Sequence, residues 1–158
     1  MPTRFALGSA ALFAYAQLGG RRVRVPRDRY PIVMLQGMLL FSASYCLVYH
    51  GTAFVTSGLV AVLFSAIVLC NAFFERLFFR TPVERRLLLA AVFGIGGIAL
   101  VFWPEVARLS LRDETITGIL WIAAAIIAAS LGNMTAVVNL RGEQPVIAVN
   151  AHAMAWAL

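Results

Sequence analysis

Residues 51–74, GTAFVTSGLVAVLFSAIVLCNAFF, contain no charged side chain. As an α-helix this stretch would cover roughly 36 Å, enough to cross a hydrocarbon core of about 30 Å. The alternative, a helix of a soluble protein, would need a polar face, and this stretch is apolar nearly all round. We therefore expect a membrane-spanning helix.

Similar apolar runs follow one another along the chain, separated by short polar or charged links. They occupy residues 5–20, 31–50, 87–103, 115–138 and 145–158. Hydrophobic residues make up 61% of the chain and charged residues 13%, against about 25% charged in soluble domains. The sequence predicts an all-α integral membrane protein, a helix bundle with about five full spans and a partial last one that is too short to cross.

The 13 basic residues are all arginines and give a net charge of +6. They lie in the links between apolar runs, which favours a role in topology over binding to nucleic acid. The positive-inside rule places links 21–30 and 75–86 in the cytoplasm and the slightly acidic link 104–114 outside. The predicted topology-determining residues are Arg21, Arg22, Arg24, Arg27, Arg29, Arg85 and Arg86.

Polar side chains inside the predicted spans are candidates for lining a substrate cavity. Ser42, Tyr45 and Tyr49 share one helix face by their spacing, and three polar residues of the next span lie close to one stripe. The alternative for each is a hydrogen bond to a neighbouring helix or to its own backbone, and both interpretations stay open. The predicted cavity residues are Tyr45, Tyr49, Ser57, Ser65, Asn71 and Asn133.

Small residues spaced four apart predict close helix packing in two of the spans. Ala90 and Gly94 form such a pair in the run 87–103. A longer strip in the run 115–138 comprises Ala124, Ala128 and Gly132.

The sequence contains no recognisable catalytic or metal-binding pattern. Cys46 and Cys70 fall inside predicted spans at a separation that fits neither a disulfide framework nor a zinc site. His50 and His152 have no acidic or cysteine partners at metal-ligand spacing. We therefore expect no enzyme activity, no metal and no cofactor, and with no Asp or Glu inside a predicted span, no carboxylate proton relay here.

Three stretches taken in order resemble the EamA-type transporters of the drug/metabolite transporter superfamily: YHGTAFVTSGLVAVLFSAIV, RTPVERRLLLAAVFGIGGIALVFWPE and GILWIAAAIIAASLGN. The matching positions are Tyr45, Ser57, Gly58, Leu59, Ala61, Leu63, Phe64, Gly97, Ile98, Leu100 and Phe102. Two places depart from the family pattern. Residues 67–68 are Ile-Val where many members have proline, and FFRTP stands where many have Gly-Glu-Arg.

The resemblance implies ten spans in two inverted five-helix repeats. Residues 1–109 would be the first repeat without its first helix, and residues 110–158 the start of the second, so that we expect truncation at both ends. The implied function is secondary-active transport of small metabolites or drugs by alternating access in a bacterial inner membrane. The implied partners are the lipid bilayer and an unidentified small-molecule substrate.

An alternative to the transporter interpretation is a small homo-oligomeric membrane protein, a homodimer for example, or a non-functional transporter fragment. A complete small protein of this kind would need a closed last span, which residues 145–158 do not supply.

Overall fold

The computed structural model describes residues 2–19, 25–107, 113–141 and 145–157, and every regular element within these ranges is helical. The α-helices are α1 Pro2–Leu18, α2 Tyr30–Gln36, α3 Ser44–Gly51, α4 Ser57–Ser65, α5 Ile67–Phe79, α6 Arg85–Val101, α7 Trp103–Ala107, α8 Asp113–Arg141 and α9 Val146–Ala155. A 3₁₀ turn, Arg27–Arg29, precedes α2, and a π-helical segment, Gly37–Ala43, joins α2 to α3. The prediction of an all-helical protein is confirmed for the described residues.

Three helices in the described ranges are long and apolar enough to cross a membrane: Arg27–Gly51, Ser57–Phe79 and Glu114–Arg141. They correspond to three of the five predicted full spans. The other two runs form α1 and α6, with 17 residues each, close to the lower limit of about 17 residues for a span. The last run forms the ten-residue α9.

The predicted boundaries of the span at residues 51–74 were wrong at both ends. Gly51 still belongs to α3, a turn follows it, and α4 begins only at Ser57. Thr56 caps α4, because its hydroxyl oxygen accepts a hydrogen bond from the backbone N–H of Leu59 at 3.4 Å. At the other end α5 continues to Phe79. Capping groups and turns set where a helix begins and ends, and an apolar run does not reveal them.

The middle of this span is interrupted without a proline. The α-helical pattern breaks at Ala66, whose ψ is −8°, between α4 and α5. The N–H of Ala66 bonds to the carbonyl of Leu63 at 3.1 Å, and the Ser65 hydroxyl donates to the carbonyl of Val62 at 2.5 Å. A serine bonded to its own helix in this way often bends it. The interruption lies one residue before the Ile-Val pair, where many members of the family that the sequence resembles have proline.

The charged links are shorter than predicted because the helices extend into them. Of the link 75–86, only residues 80–84 are irregular, since α5 ends at Phe79 and α6 begins at Arg85. Arg80 ends α5 with a positive φ of 54°, the left-handed conformation that commonly terminates helices. Helix α7 likewise occupies part of the predicted link 104–114.

The chain divides into two compact units. Unit 1 comprises Met1–Ala43 and Leu131–Leu158, and unit 2 comprises Ser44–Ser130. One boundary lies between Ala43 and Ser44, at the end of the π-helical segment. The other lies within α8, between Ser130 and Leu131. This division groups the residues that pack together. It differs from the predicted repeats at 1–109 and 110–158, which are segments of the sequence and stay a prediction.

In unit 1, α9 packs against α1, α2 and the π-helical segment. The apolar core there contains Val33, Ala148, Val149 and Ala153, all at most 1% exposed. Gly37 allows the closest approach, since a Cβ at this position would overlap the backbone carbonyl of Ala153.

A second close contact in unit 1 involves α8. A Cβ on Gly132 would lie 2.9 Å from the backbone nitrogen of Leu40. The predicted close packing is therefore confirmed at Gly132, whereas Ala124 and Ala128, in the part of α8 that belongs to unit 2, are only half-buried.

In unit 2, the apolar core consists of Val55, Leu59, Ile122 and Ile126. Helix α6 packs against α4, but a Cβ on Gly94 would meet nothing within 4 Å. The predicted close packing at Ala90 and Gly94 is therefore not formed among the described residues. In this chain that side of α6 is exposed.

Candidate functional site

The two predicted tyrosines lie on α3 and face away from the interior of unit 2. Tyr45 is 39% exposed and Tyr49 is 43% exposed. The side of α3 that unit 2 buries carries Ser44 and Gly51 instead. A Cβ on Gly51 would lie 2.6 Å from the Ile122 side chain, so this end of α3 packs tightly against α8.

The two predicted serines of the following span have different surroundings. Ser57 is exposed at the start of α4, and Ser65 is half-buried at the end of that helix. The Ser65 hydroxyl donates to the backbone of its own helix at Val62. A hydrogen bond to its own backbone is one of the two interpretations that the sequence left open for this serine. The bond places the hydroxyl at the interruption between α4 and α5.

Asn71 forms a hydrogen bond between two helices of unit 2. Its side-chain oxygen accepts from the hydroxyl of Ser130 at 2.6 Å, joining α5 to α8. Asn71 is half-buried and Ser130 is fully buried. The sequence selected Asn71 but not its partner, which lies 59 residues further along the chain.

An apolar cavity of about 280 Å³ lies in unit 2 beside the interruption between α4 and α5. Its walls come from that interruption and from α8, and the lining residues are Leu63, Ala66, Cys70, Ile119, Ala123, Ile126 and Ile127. Asn71 directly follows the lining residue Cys70, and Ser130 lies one helical turn beyond Ile126. The polar pair lies near the cavity without being part of its lining, and none of the six predicted cavity residues is a lining residue.

Asn133, the last of the predicted cavity residues, lies on the part of α8 that belongs to unit 1 and is half-buried. The other five belong to unit 2. Contact of these six residues with a solute stays a prediction.

A chain of three amide side chains in unit 1 was not predicted as a site. The Asn139 side-chain N–H donates to Gln36 Oε1 at 2.9 Å, and the Gln36 side-chain N–H donates to Asn150 Oδ1 at 3.1 Å. These residues belong to α8, α2 and α9, and both Gln36 and Asn139 are 0% exposed. Among the described residues no hydrogen-bond donor reaches Asn139 Oδ1. We call these three residues the amide chain.

The sequence carried only a weak signal for the amide chain. An amide inside a membrane span is costly unless it finds a partner, which marks each of these residues as notable. The partners, however, are 103 and 114 residues apart along the chain. Only the packing of the helices shows that they meet.

Two further polar side chains of unit 1 are bonded to backbone carbonyls of α9. The Ser9 hydroxyl of α1 donates to the carbonyl of Ala151 at 2.8 Å. The His152 Nδ1 lies 2.8 Å from the carbonyl of Ala148. The imidazole also packs edge-on against the rings of Phe13 and Tyr30, at centroid distances of 5.0 and 5.8 Å.

The predicted topology-determining arginines lie at helix ends where the structure describes them. Arg27 and Arg29 form the 3₁₀ turn before α2, and Arg85 and Arg86 are the first two residues of α6. The remaining three, Arg21, Arg22 and Arg24, lie outside the described residues. The described residues contain no cluster of three or more His, Cys, Asp or Glu side chains that could hold a metal ion.

Comparison with known proteins gives one match. The model of a family described as EamA-like transporter family matches residues 3–103, which are 101 of the 158 residues of the chain. No significant match was found among curated proteins. None was found among solved structures.

Proposed function

The chain belongs to the EamA-like transporter family, and from that premise we propose that it carries small metabolites or drugs across a membrane by alternating access. Family membership and the apolar helices make it an integral membrane protein of the drug/metabolite transporter superfamily. In the proposed mechanism two inverted helical repeats rock about a central solute site. Residues 1–109 would contribute most of one repeat, and residues 110–158 would begin the other.

The family assignment points to a transporter and away from an enzyme. The proposed location is a bacterial inner membrane, with the arginine-bearing ends of α2 and α6 on the cytoplasmic side. The excess of arginine in those links supports this orientation.

The observation that carries the proposal is the apolar cavity of unit 2 with the Asn71–Ser130 hydrogen bond about a turn away. Small-molecule sites have mostly apolar walls and a few polar groups that orient the ligand, in volumes from about 300 Å³ upwards. A cavity of about 280 Å³ suits a small solute with an apolar body and one or two polar groups. Of the six predicted cavity residues, Asn71 is the one we expect to orient such a solute.

The test is solute counterflow with the full chain reconstituted into liposomes. Two probes of different chemistry are used, a mixture of radiolabelled amino acids and the cationic dye ethidium. We expect the chain to exchange at least one probe and Ala66→Phe, which adds bulk to a half-buried wall of the cavity, to lose most of that exchange. The control is Ala90→Phe, because Ala90 is exposed on α6 and adds the same bulk outside the cavity.

Equal loss in both variants would argue against the cavity as the solute site. Exchange of neither probe by the unaltered chain, in liposomes where it is folded, would argue against transport of these solutes by the chain alone. The homo-oligomeric or fragment interpretation would then lead, and cross-linking in the same liposomes would detect a homodimer.

A further inference from the structure

The amide chain of unit 1 uses its hydrogen-bonding capacity unevenly. Gln36 is engaged in both directions, because its oxygen accepts from Asn139 and one N–H donates to Asn150. Asn139 donates but does not accept, although its carbonyl oxygen is completely buried. A buried acceptor without a donor is unfavourable, and in native proteins such groups call for a specific explanation.

The surroundings of Asn139 offer an apolar alternative that the chain does not use. Leucine has nearly the same shape as asparagine, and the neighbouring core is apolar, with Val33 and Val149 each at most 1% exposed. The hydrogen bond to Gln36 accounts for the amide nitrogen of Asn139 but not for its buried carbonyl oxygen. The polar carbonyl at this position is consistent with a partner that is not part of the fold.

The amide chain lies close to helix ends. Gln36 is six residues from the start of α2 at Tyr30, Asn150 is four residues from the start of α9 at Val146, and Asn139 is two residues from the end of α8 at Arg141. At about 1.5 Å per residue, all three lie within roughly 9 Å of these ends. Arg27 and Arg29 stand just before α2, so these ends mark the edge of the apolar region.

Only a thin apolar layer separates the amide chain from these helix ends. Val33 lies one turn before Gln36 in α2. Ala148 and Val149 directly precede Asn150, toward the start of α9. The same buried cluster includes Val25, which lies before the 3₁₀ turn, so the layer involves the chain leading into α2 as well as α2 and α9. A modest separation of these helices would bring water to the three amides.

We propose that Gln36, Asn139 and Asn150 form a solute-binding point that opens to water on the side of Arg27 and Arg29. There the carbonyl of Asn139 accepts a hydrogen bond from an N–H or O–H group of a solute. The proposal rests on the proposed transport function, because a transporter exposes buried polar groups to water during its cycle.

The test measures the access of a water-soluble thiol reagent to cysteines placed at the amide chain. The full chain in liposomes, with Cys46→Ser and Cys70→Ser, receives one cysteine at a time, and the probe is the membrane-impermeant 2-sulfonatoethyl methanethiosulfonate. Asn139→Cys reports on the carbonyl position itself. Val149→Cys lies beside Asn150 and leaves all three amides in place.

The matched control is Ala125→Cys, because Ala125 is also 0% exposed and lies on α8 in the apolar part of unit 2. We expect Asn139→Cys and Val149→Cys to react about ten times faster than Ala125→Cys or more, since modification of a buried group follows the fraction of time it is open. Circular dichroism of each variant in the same liposomes establishes that it is folded.

Reaction of neither cysteine above the control would overturn the proposal. Reaction of Asn139→Cys alone would overturn it too, because water would then enter only after the amide chain is broken. Where both react, slowing of Val149→Cys by an excess of the amino-acid mixture supports the binding point, and an unchanged rate overturns it, because water alone then reaches the amides. A reaction that the amino-acid mixture slows, without counterflow of either probe, upholds the binding point and counts against the proposed transport alone.

Discussion

The two compact units differ in what they bury. Unit 1 buries two complete amide side chains, Gln36 and Asn139, at a point where three helices meet. In the described part of unit 2 the buried residues are mostly apolar, and the buried polar groups are the hydroxyls of Ser44 and Ser130. The amides of unit 1 form two successive hydrogen bonds across three helices, whereas in unit 2 the Ser130 hydroxyl bonds to the half-buried Asn71. The arrangement of the helices in unit 1 is therefore tied to specific polar partners, and that of unit 2 mostly to shape.

The largest expected effect concerns Gly37, where the backbone of the π-helical segment lies close to the backbone of α9. In Gly37→Ala the new methyl group would overlap the Ala153 carbonyl, which is backbone and cannot move without shifting α9. We expect the free energy of unfolding to fall by about 2–3 kcal/mol, the range of an overpacked core. Unfolding of the purified chain in SDS, followed by circular dichroism, measures the change.

Gly96→Ala on α6 is the control for this substitution, because a Cβ there meets nothing within 4 Å. Alanine favours a helix over glycine by about 0.5–1 kcal/mol, so this variant should be neutral or slightly stabilised. Similar losses for both glycines would show that the tight approach in unit 1 is not what Gly37 provides.

The next prediction concerns the buried hydrogen bond between Gln36 and Asn139 in unit 1, and it tests the contrast between the polar and the apolar core. Asn139→Leu removes the donor to Gln36 and leaves a buried acceptor unpaired, so we expect a loss of about 1–2 kcal/mol in the free energy of unfolding. Gln36→Leu should cost somewhat more, because it also breaks the bond to Asn150. The double variant should cost clearly less than the two losses added together, because residues joined by a hydrogen bond are coupled.

A double-mutant cycle by the same SDS unfolding measures that coupling. The control cycle pairs Gln36→Leu with Ser130→Ala, which belong to different units and should be additive. Additive losses for Gln36 and Asn139 would mean that their bond contributes nothing and that the contrast between the two units rests on packing alone.

A smaller effect is expected for the polar pair of unit 2. Ser130→Ala removes the bond to Asn71 but leaves the half-buried amide of that residue in place. Interhelical hydrogen bonds in membranes contribute about 0.6 kcal/mol on average, and we expect a loss of that size. Unfolding in SDS again supplies the number, and a loss as large as that of Asn139→Leu would erase the difference between the units.

The smallest effect concerns the start of α4 in unit 2. Thr56→Ala removes the capping oxygen, and because the capping distance of 3.4 Å is long, we expect a loss near the lower end of the range for caps, about 0.5 kcal/mol. Thr56→Ser keeps the oxygen and should retain most of the stability. Hydrogen exchange of the first turn of α4 gives a local readout, and equal exchange in all three proteins would show that the cap is not formed.

The packing side of α8 could be predicted only in part from the sequence. The spacing of Ala124, Ala128 and Gly132 predicted a packing strip, and Gly132 does pack against the backbone of Leu40. The alanines buried most deeply, however, are Ala125 and Ala129, one position further along the helix. Because α8 is apolar all round, its sequence does not show which side faces a neighbour.

The sequence by itself determined the class of this protein. The length of each apolar run, the scarcity of charge and the arginines between the runs are read along the chain, and so are the motifs that resemble the transporter family. The tertiary structure alone decided that α4 begins at Ser57, that Gly37 meets the backbone of α9 and that Asn139 finds Gln36. The physical reason is that hydrophobic length is a local property, whereas the partner of a buried amide depends on which helix lies beside it.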